Sequence, residues 1–229
     1  MNNFDLTIKP LAYVESDFTE KFGVPRQSGR VQSLTARIVF TTEFSHPDAI
    51  RDIQRFSHLW LIFGFSLCKR NEWSPTVRPP RLGGNSKTGV FASRSPFRPN
   101  GLGLSSVKLL GIDKTKDGKT VLIVSGADLV SGTPIYDVKP YLPFTDCHED
   151  AIGGYADEHV NDYLEVVFPP ELLNIIPENK RQALTDCLKE DPRPSYQNDC
   201  REYGMKFNAF NVRYTVKDNI LTVISVEKL

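Results

Sequence analysis

Over most of this chain hydrophobic and polar positions alternate in short runs separated by turn residues, and that period-two rhythm predicts strands rather than helices. Residues 6–14 and 31–40 carry β-branched and apolar side chains in such runs. Between them, residues 21–29 hold one proline and two glycines and read as a loop. Ser45 or Asp48 is placed to cap a short helix running to Gln54, with Pro47 in its first turn. Residues 56–65 are almost continuously aromatic or aliphatic, which predicts a strand buried on both faces. Further strands are expected at 90–93, 102–112, 120–125 and 163–168, with Lys114-Thr-Lys-Asp-Gly118 as a hairpin turn between the second and third of these.

Pro169-Pro170 marks a change of pattern. In residues 171–189 apolar side chains recur at helical spacing (Leu172, Leu173, Ile176, then Ala183, Leu184, Cys187, Leu188), with a break at Pro177. Asp191-Pro-Arg-Pro194 stops the helix. Residues 207–216 and 220–226 then alternate around Lys217-Asp-Asn219 as a hairpin. The pattern predicts a mainly β protein. A sandwich or barrel of short strands is expected over residues 1–168, followed by a small α+β domain over 169–229.

With 229 residues, 40% hydrophobic and 24% charged, the chain can bury a core without disulfides or metals. Its four cysteines (Cys68, Cys147, Cys187, Cys200) are widely scattered, and no basic stretch followed by an apolar one opens the sequence. Reduced thiols and a cytoplasmic protein are expected. The longest apolar run, 59–65, is too short to span a bilayer, so no membrane contact is expected. Net charge is zero, with 28 cations and 28 anions, which excludes a generic polyanion binder. The distribution is uneven, however. Residues 69–98 carry seven cations against Glu72, whereas 137–165 carry eight acids against Lys139. Contact with nucleic acid should be focal.

The most distinctive segment is 78–106, where Arg78, Arg81, Lys87, Arg94 and Arg98 sit among glycines and prolines with no acid. Arginine forks suit phosphate or carboxylate, and glycine lets main chain approach a ligand. Gly101-Leu-Gly103 lacks the third glycine of a dinucleotide fingerprint, and Gly84-Asn-Ser-Lys-Thr has Ser86 where a phosphate loop needs glycine. Cys147-His148 has no second pair at ligand spacing, so no metal is expected. No nucleophile elbow occurs. His58, beside Trp60 in the apolar strand, reads as a satisfied core or edge histidine ahead of a catalytic one. The run 128–134, Asp-Leu-Val-Ser-Gly-Thr-Pro, fits equally a tight turn whose acid binds its own backbone and a site whose backbone faces a ligand. Asp137, Lys139 and Tyr141 share one side of an extended segment by period two, as solvated surface or as a proton-transfer group.

Taken in order, Val24-Pro-Arg-Gln27, Phe56-Ser-His-Leu-Trp60, Arg78-Pro-Pro-Arg-Leu-Gly-Gly84, Gly89-Val-Phe-Ala92, Arg94-Ser-Pro-Phe-Arg-Pro-Asn100, residues 128–134 and Asp137-Val-Lys-Pro-Tyr141 closely resemble the TrmO (TsaA-like) family. Asp191-Pro-Arg-Pro-Ser-Tyr196 and Asn208-Ala-Phe-Asn-Val-Arg213 resemble its bacterial C-terminal extension. The resemblance implies an enzyme that uses S-adenosylmethionine to methylate N6 of threonylcarbamoyladenosine at tRNA position 37. It implies a single-sheeted β-barrel and a homodimer with the cofactor near the subunit interface.

Carried over by motif, cofactor contacts are expected at Pro25, Arg26, Gln27, Ser66, Leu67, Arg94, Leu104, Asp128, Leu129, Val130, Ser131 and Gly132. Ser66 and Ser131 depart from the histidine and the acid usual at those positions in relatives. Asp137, Lys139 and Tyr141 are the candidates for catalytic proton transfer. Arg78, Arg81, Lys87 and Arg98 are assigned to anticodon-loop phosphates, with aromatics such as Phe97 for stacking and with Arg193 and Arg213 extending the contact or serving dimer packing. The rival readings are a non-catalytic RNA-binding module and a methyltransferase of this family with a different substrate.

Overall fold

The computed structural model describes residues 6–68, 73–79, 86–193 and 201–229. Its strands in chain order are β1 (Ala12–Glu15), β2 (Thr35–Phe40), β3 (His58–Gly64), β4 (Thr76–Val77), β5 (Thr88–Gly89) and β6 (Leu102–Lys114). They continue with β7 (Thr120–Ser125), β8 (Pro134–Pro140), β9 (Glu165–Val167), β10 (Tyr203–Phe207), β11 (Phe210–Lys217) and β12 (Ile220–Lys228). Helices are α1 (Pro143–Asp146), α2 (Pro170–Leu173) and α3 (Glu178–Lys189).

Six strands close into an antiparallel ring in the order β1-β2-β7-β6-β3-β8, with β8 pairing back onto β1. Alternation places Val14, Ile38, Leu59, Leu61, Val107, Leu122 and Ile135 inside, each at most 1% exposed. Burial of each such side chain contributes about 1.5–3 kcal/mol, which makes this interior the main support of the ring. The strand expected to be buried on both faces is buried on one. Leu59, Leu61 and Phe63 of β3 point in, while His58, Trp60 and Ile62 are half-buried outside, because a closed ring covers only its inner face. Opposite Phe63, β6 carries Gly103, where any Cβ would collide with the phenyl ring.

The second unit is a four-stranded sheet, β10-β11-β12-β9, with α3 on one face. Its core holds Leu184, Leu188, Met205, Phe207, Val212, Tyr214, Leu221 and Val223. Phe18, Val31 and Leu34, from the long connection between β1 and β2, are buried in this second core and not in the ring.

Several expected elements differ. Of the first expected strand only its end pairs, in β1 (Ala12–Glu15), which runs one residue further, and Leu6 and Ile8 are exposed. The short helix is a series of 3-10 turns (Thr42–Phe44, Pro47–Ile50, Ile53–Arg55), and His46, through Nδ1, caps the middle one in place of Ser45 or Asp48. Residues 90–93 form a 3-10 turn, Val90–Ala92, because Ser93 Oγ and the Arg98 guanidinium bind the Val90 carbonyl. The run 207–216 is broken by a two-residue turn at Asn208 and Ala209, and β10 precedes it. The strand expected to close the first region is β9, which pairs in parallel with β12 of the second sheet. The expected break at Pro177 separates α2 from α3.

Candidate functional site

Three segments far apart in sequence meet where β7 leaves the ring. The Gln27 carboxamide accepts from Arg94 Nη1 at 2.6 Å and donates through Nε2 to the Arg26 carbonyl at 2.6 Å, so both ends of its amide are fixed. Asp128, half-buried two residues after Gly126, accepts from Ser105 Oγ at 2.6 Å. Burial raises the Asp128 pKa, while hydrogen bonds from Ser105 and the Ser28 backbone, with the nearby Arg94 charge, pull it back. A guanidinium thus stands between a carboxamide it bonds and a carboxylate it lies near, and the carboxylate is anchored on the buried Ser105. Pro25, in the same loop, is buried.

The rest of the 128–132 turn is tied to the protein by its backbone, with Leu129 buried and Gly132 exposed. Ser131 N–H donates to the Phe18 carbonyl (2.7 Å) and Gly132 N–H to the Val14 carbonyl (2.7 Å). Leu129 is buried and its carbonyl accepts from Ser16 Oγ at 2.8 Å. The Val130 carbonyl accepts from Thr133. Of the two readings of this turn, its backbone follows the first, holding the 14–18 segment, and only the Asp128 side chain reaches toward Arg94. Arg26 is also turned away, since its Nη2 donates to the carbonyls of Asp191 (3.3 Å) and Arg193 (2.9 Å).

Other candidates lie on the outer face of the ring. Leu104, 53% exposed, pairs with Ile62, which pairs on its other side with Asp137, so the three form one row across β6, β3 and β8. Lys139 stands opposite Trp60 and its Nζ is 3.0 Å from Asp137 Oδ2. Tyr141 packs its ring on Trp60 (centroids 5.4 Å apart) and His58 (6.2 Å). Asp137, Lys139 and Tyr141 therefore do share one face. Desolvation, and then the neighbouring Cys147 and Asp146, raise the Tyr141 pKa, so this phenol is a hydrogen-bond donor at neutral pH. Ser66 and Leu67 follow β3 at its end, where Phe65 N–H binds the Gly101 carbonyl.

The cations divide into free and engaged ones. Arg78 and Lys87 are exposed at the next opposed positions beyond the Val77–Thr88 pair of the β4–β5 ribbon. Arg98 is held by the carbonyls of Val90 and Ser93 and lies over Phe91. Arg193, 11% exposed, forms a two-point pair with Asp191, at 2.9 Å in both bonds. Arg213 pairs with Glu202 at 2.9 Å. Arg81 lies outside the described residues.

Two residues of these clusters escaped the sequence reading. Ser105 shares the inward face of β6 with Gly103 and Val107, and a polar residue on an apolar face was the available signal. Asp146 accepts from Trp60 Nε1 (2.8 Å) and Leu142 N–H (2.9 Å), and these bonds, the Leu142 one foremost, lower its pKa. Nothing in its exposed, acid-rich surroundings announced it. Among the described residues no three His, Cys, Asp or Glu side chains gather as a metal site requires, and no helix is long and apolar enough to cross a membrane.

Comparison with known proteins identifies the family of the chain. The family model described as the tRNA-methyltransferase O N-terminal domain matches residues 13–147, and the TrmO C-terminal domain matches 161–229. The tRNA (adenine(37)-N6)-methyltransferase of Escherichia coli K12 is 40% identical over 228 residues, covering 95% of this chain and 96% of that protein. RcsF of Pseudomonas aeruginosa, whose name describes S-adenosylmethionine-dependent methyl transfer, is 34% identical over 226 residues and 91% of each chain. A crystal structure of TrmO from P. aeruginosa matches with a TM-score of 0.80 at 29% identity, covering 99% of this chain and 98% of that one. Matched in order by both family domains, the chain belongs to the tRNA-methyltransferase O (TrmO) family.

Proposed function

We propose that this chain methylates N6 of threonylcarbamoyladenosine at position 37 of tRNA with S-adenosylmethionine, in the cytoplasm and as a homodimer, its ring being the family's barrel. The observation that carries the reading is the meeting of Gln27, Arg94 and Asp128, each from a different segment: Arg94 bonds the carboxamide and lies near the carboxylate, which Ser105 anchors. Family membership and the names of the relatives supply the reaction.

The donor set fits a sulfonium nucleoside. Asp128 suits hydroxyl or ammonium donors, Arg94 suits a carboxylate, and Gln27 offers a donor and an acceptor. Bound there, S-adenosylmethionine supplies an electrophilic methyl carbon on a sulfur that departs as a neutral thioether. The protein's contribution is mainly placement, worth up to about 7–11 kcal/mol for well-oriented partners.

The acceptor nitrogen bears a carbamoyl group, so its lone pair is weakly nucleophilic and its proton must be taken up as the new bond forms. Asp137 is the proposed acceptor of that proton, Lys139 holds the carboxylate by its ion pair, and Tyr141 donates a hydrogen bond. Arg78 and Lys87 are proposed to meet anticodon-loop phosphates. The exposed Leu104 and Leu102 beside Ile62 support a dimer contact on the outer face.

Mass spectrometry of position-37 nucleosides from cells lacking the protein tests the reading, which expects the N6-methyl group to be missing. Unchanged nucleosides with S-adenosylmethionine still bound in titration calorimetry would move the methyl group to another acceptor. Binding of tRNA with no uptake of S-adenosylmethionine would make the chain a non-catalytic RNA-binding module.

A further inference from the structure

The loop that carries Gln27 has two faces, and only one looks toward Arg94 and Asp128. The other is built into the C-terminal unit. Gly23, at φ +90, lies where Met205 leaves no room for a Cβ. Phe18 packs edge-on against Phe207, with centroids 5.5 Å apart. The buried Asp17 takes Lys180 Nζ (2.6 Å) and Asn208 Nδ2 (2.7 Å). Arg30 pairs through Nε with Glu190, which is buried, and Ser33 Oγ donates to Asp186. Such contacts hold the connection in one conformation from Asp17 to Ser33.

Within that frame one continuous relay runs from the C-terminal turn to the candidate site. Arg193 and Asp191 lock each other by two parallel bonds, which fixes the direction of their carbonyls. Both carbonyls accept from Arg26 Nη2. The Arg26 carbonyl accepts from Gln27 Nε2, and Gln27 Oε1 accepts from Arg94. Because an amide has one donor end and one acceptor end, fixing Nε2 on Arg26 decides that the oxygen faces Arg94.

We infer that the C-terminal unit is the cis support of the methyl-donor loop, with Arg26 and Arg193 as positioning residues that act through Gln27. This deepens the proposed function and rests on it. It gives Arg26, expected from its motif to touch the cofactor, a different task. It also assigns the second unit a role in the same subunit's donor site, apart from any tRNA or dimer contact.

A double-mutant cycle read by titration calorimetry with S-adenosylmethionine tests this on the full chain. Arg26→Gln and Arg193→Gln are each expected to weaken binding about ten-fold, and the double variant no more than the worse single one, because both cut one relay. Amide hydrogen exchange over residues 26–29 should quicken in Arg193→Gln. A double variant weakened by the product of the two effects, about a hundred-fold, overturns the inference and points to direct contact between Arg26 and the cofactor. Wild-type affinity in Arg26→Gln overturns it as well. Val223→Ala, which cuts into the C-terminal core without removing any group of the relay, is expected to melt earlier yet bind normally below its melting range. An equal loss of affinity in that variant would replace the relay with general destabilisation. Arg26→Lys, with a single donor group, should fall between wild type and Arg26→Gln. Wild-type protein that takes up no S-adenosylmethionine sinks the proposed function itself, and this inference with it.

Discussion

Asp128 is held in a place that costs the fold something. Burial raises its pKa above the ordinary 3.8, so the folded chain keeps this proton to higher pH than the unfolded chain does. The stability linked to it is complete below about that ordinary value and is lost as pH rises through the raised one. At neutral pH the ionised carboxylate therefore destabilises the protein while offering a charge to a ligand. Asp128→Asn keeps an acceptor for Ser105 and removes the buried charge. It should melt higher than wild type at pH 7, by a margin that shrinks toward pH 4, and bind S-adenosylmethionine more weakly. Thermal melts across that range check the first half, and a lower melting point at pH 7 would show that the charged hydrogen bonds outweigh desolvation. Asp128 and Arg94 stood out in the sequence because a charged residue among turn residues is conspicuous. Ser105, hidden in a strand, did not.

At the scale of elements, the β4–β5 ribbon and the turn after it carry the cations of the acid-free segment, and the fold separates them. Arg78 and Lys87 project from the ribbon, whereas Arg98 donates to the carbonyls of Val90 and Ser93 and shapes the turn. Removing a phosphate contact should flatten the dependence of log K on log salt by about 0.7–0.9. Arg78→Ala and Lys87→Ala are each expected to do so in tRNA binding, and Arg98→Ala is expected to leave the slope alone while lowering stability. A flattened slope for Arg98→Ala would return that residue to the tRNA footprint. The same turn explains why the strand expected at 90–93 does not form. Its β-branched and aromatic residues fit a strand by propensity, but a guanidinium eight residues ahead captures a carbonyl that a ladder would have used. Hairpins fared better, since Asp218 and Asn219 both adopt the positive φ that a two-residue turn requires.

Across the whole molecule, two cores share one connection. Phe18, Val31 and Leu34 leave the ring's own segment to complete the C-terminal core, so the two units are packed through the loop that carries Gln27. The outer face of β6 and β3 keeps Leu102 and Leu104 exposed beside Ile62, an apolar strip. If a second copy covers it, Leu104→Glu should convert a dimer to a monomer in sedimentation velocity without unfolding the ring. A variant that remains dimeric removes this face from the interface.

Local chemistry was legible residue by residue. The strand rhythm, the C-terminal hairpin and the turn at Asp128 follow from side-chain size, turn propensity and charge, all written along the chain, whereas the Pro-Arg-Gln motif was legible only through the family resemblance. Ring closure, the pairing of β9 with β12, the engagement of Arg98 and the turning of Arg26 toward residues 191–193 were not. Each depends on which distant carbonyl or strand edge arrives alongside, and that is set by packing between segments up to 167 residues apart, a relation no local pattern encodes.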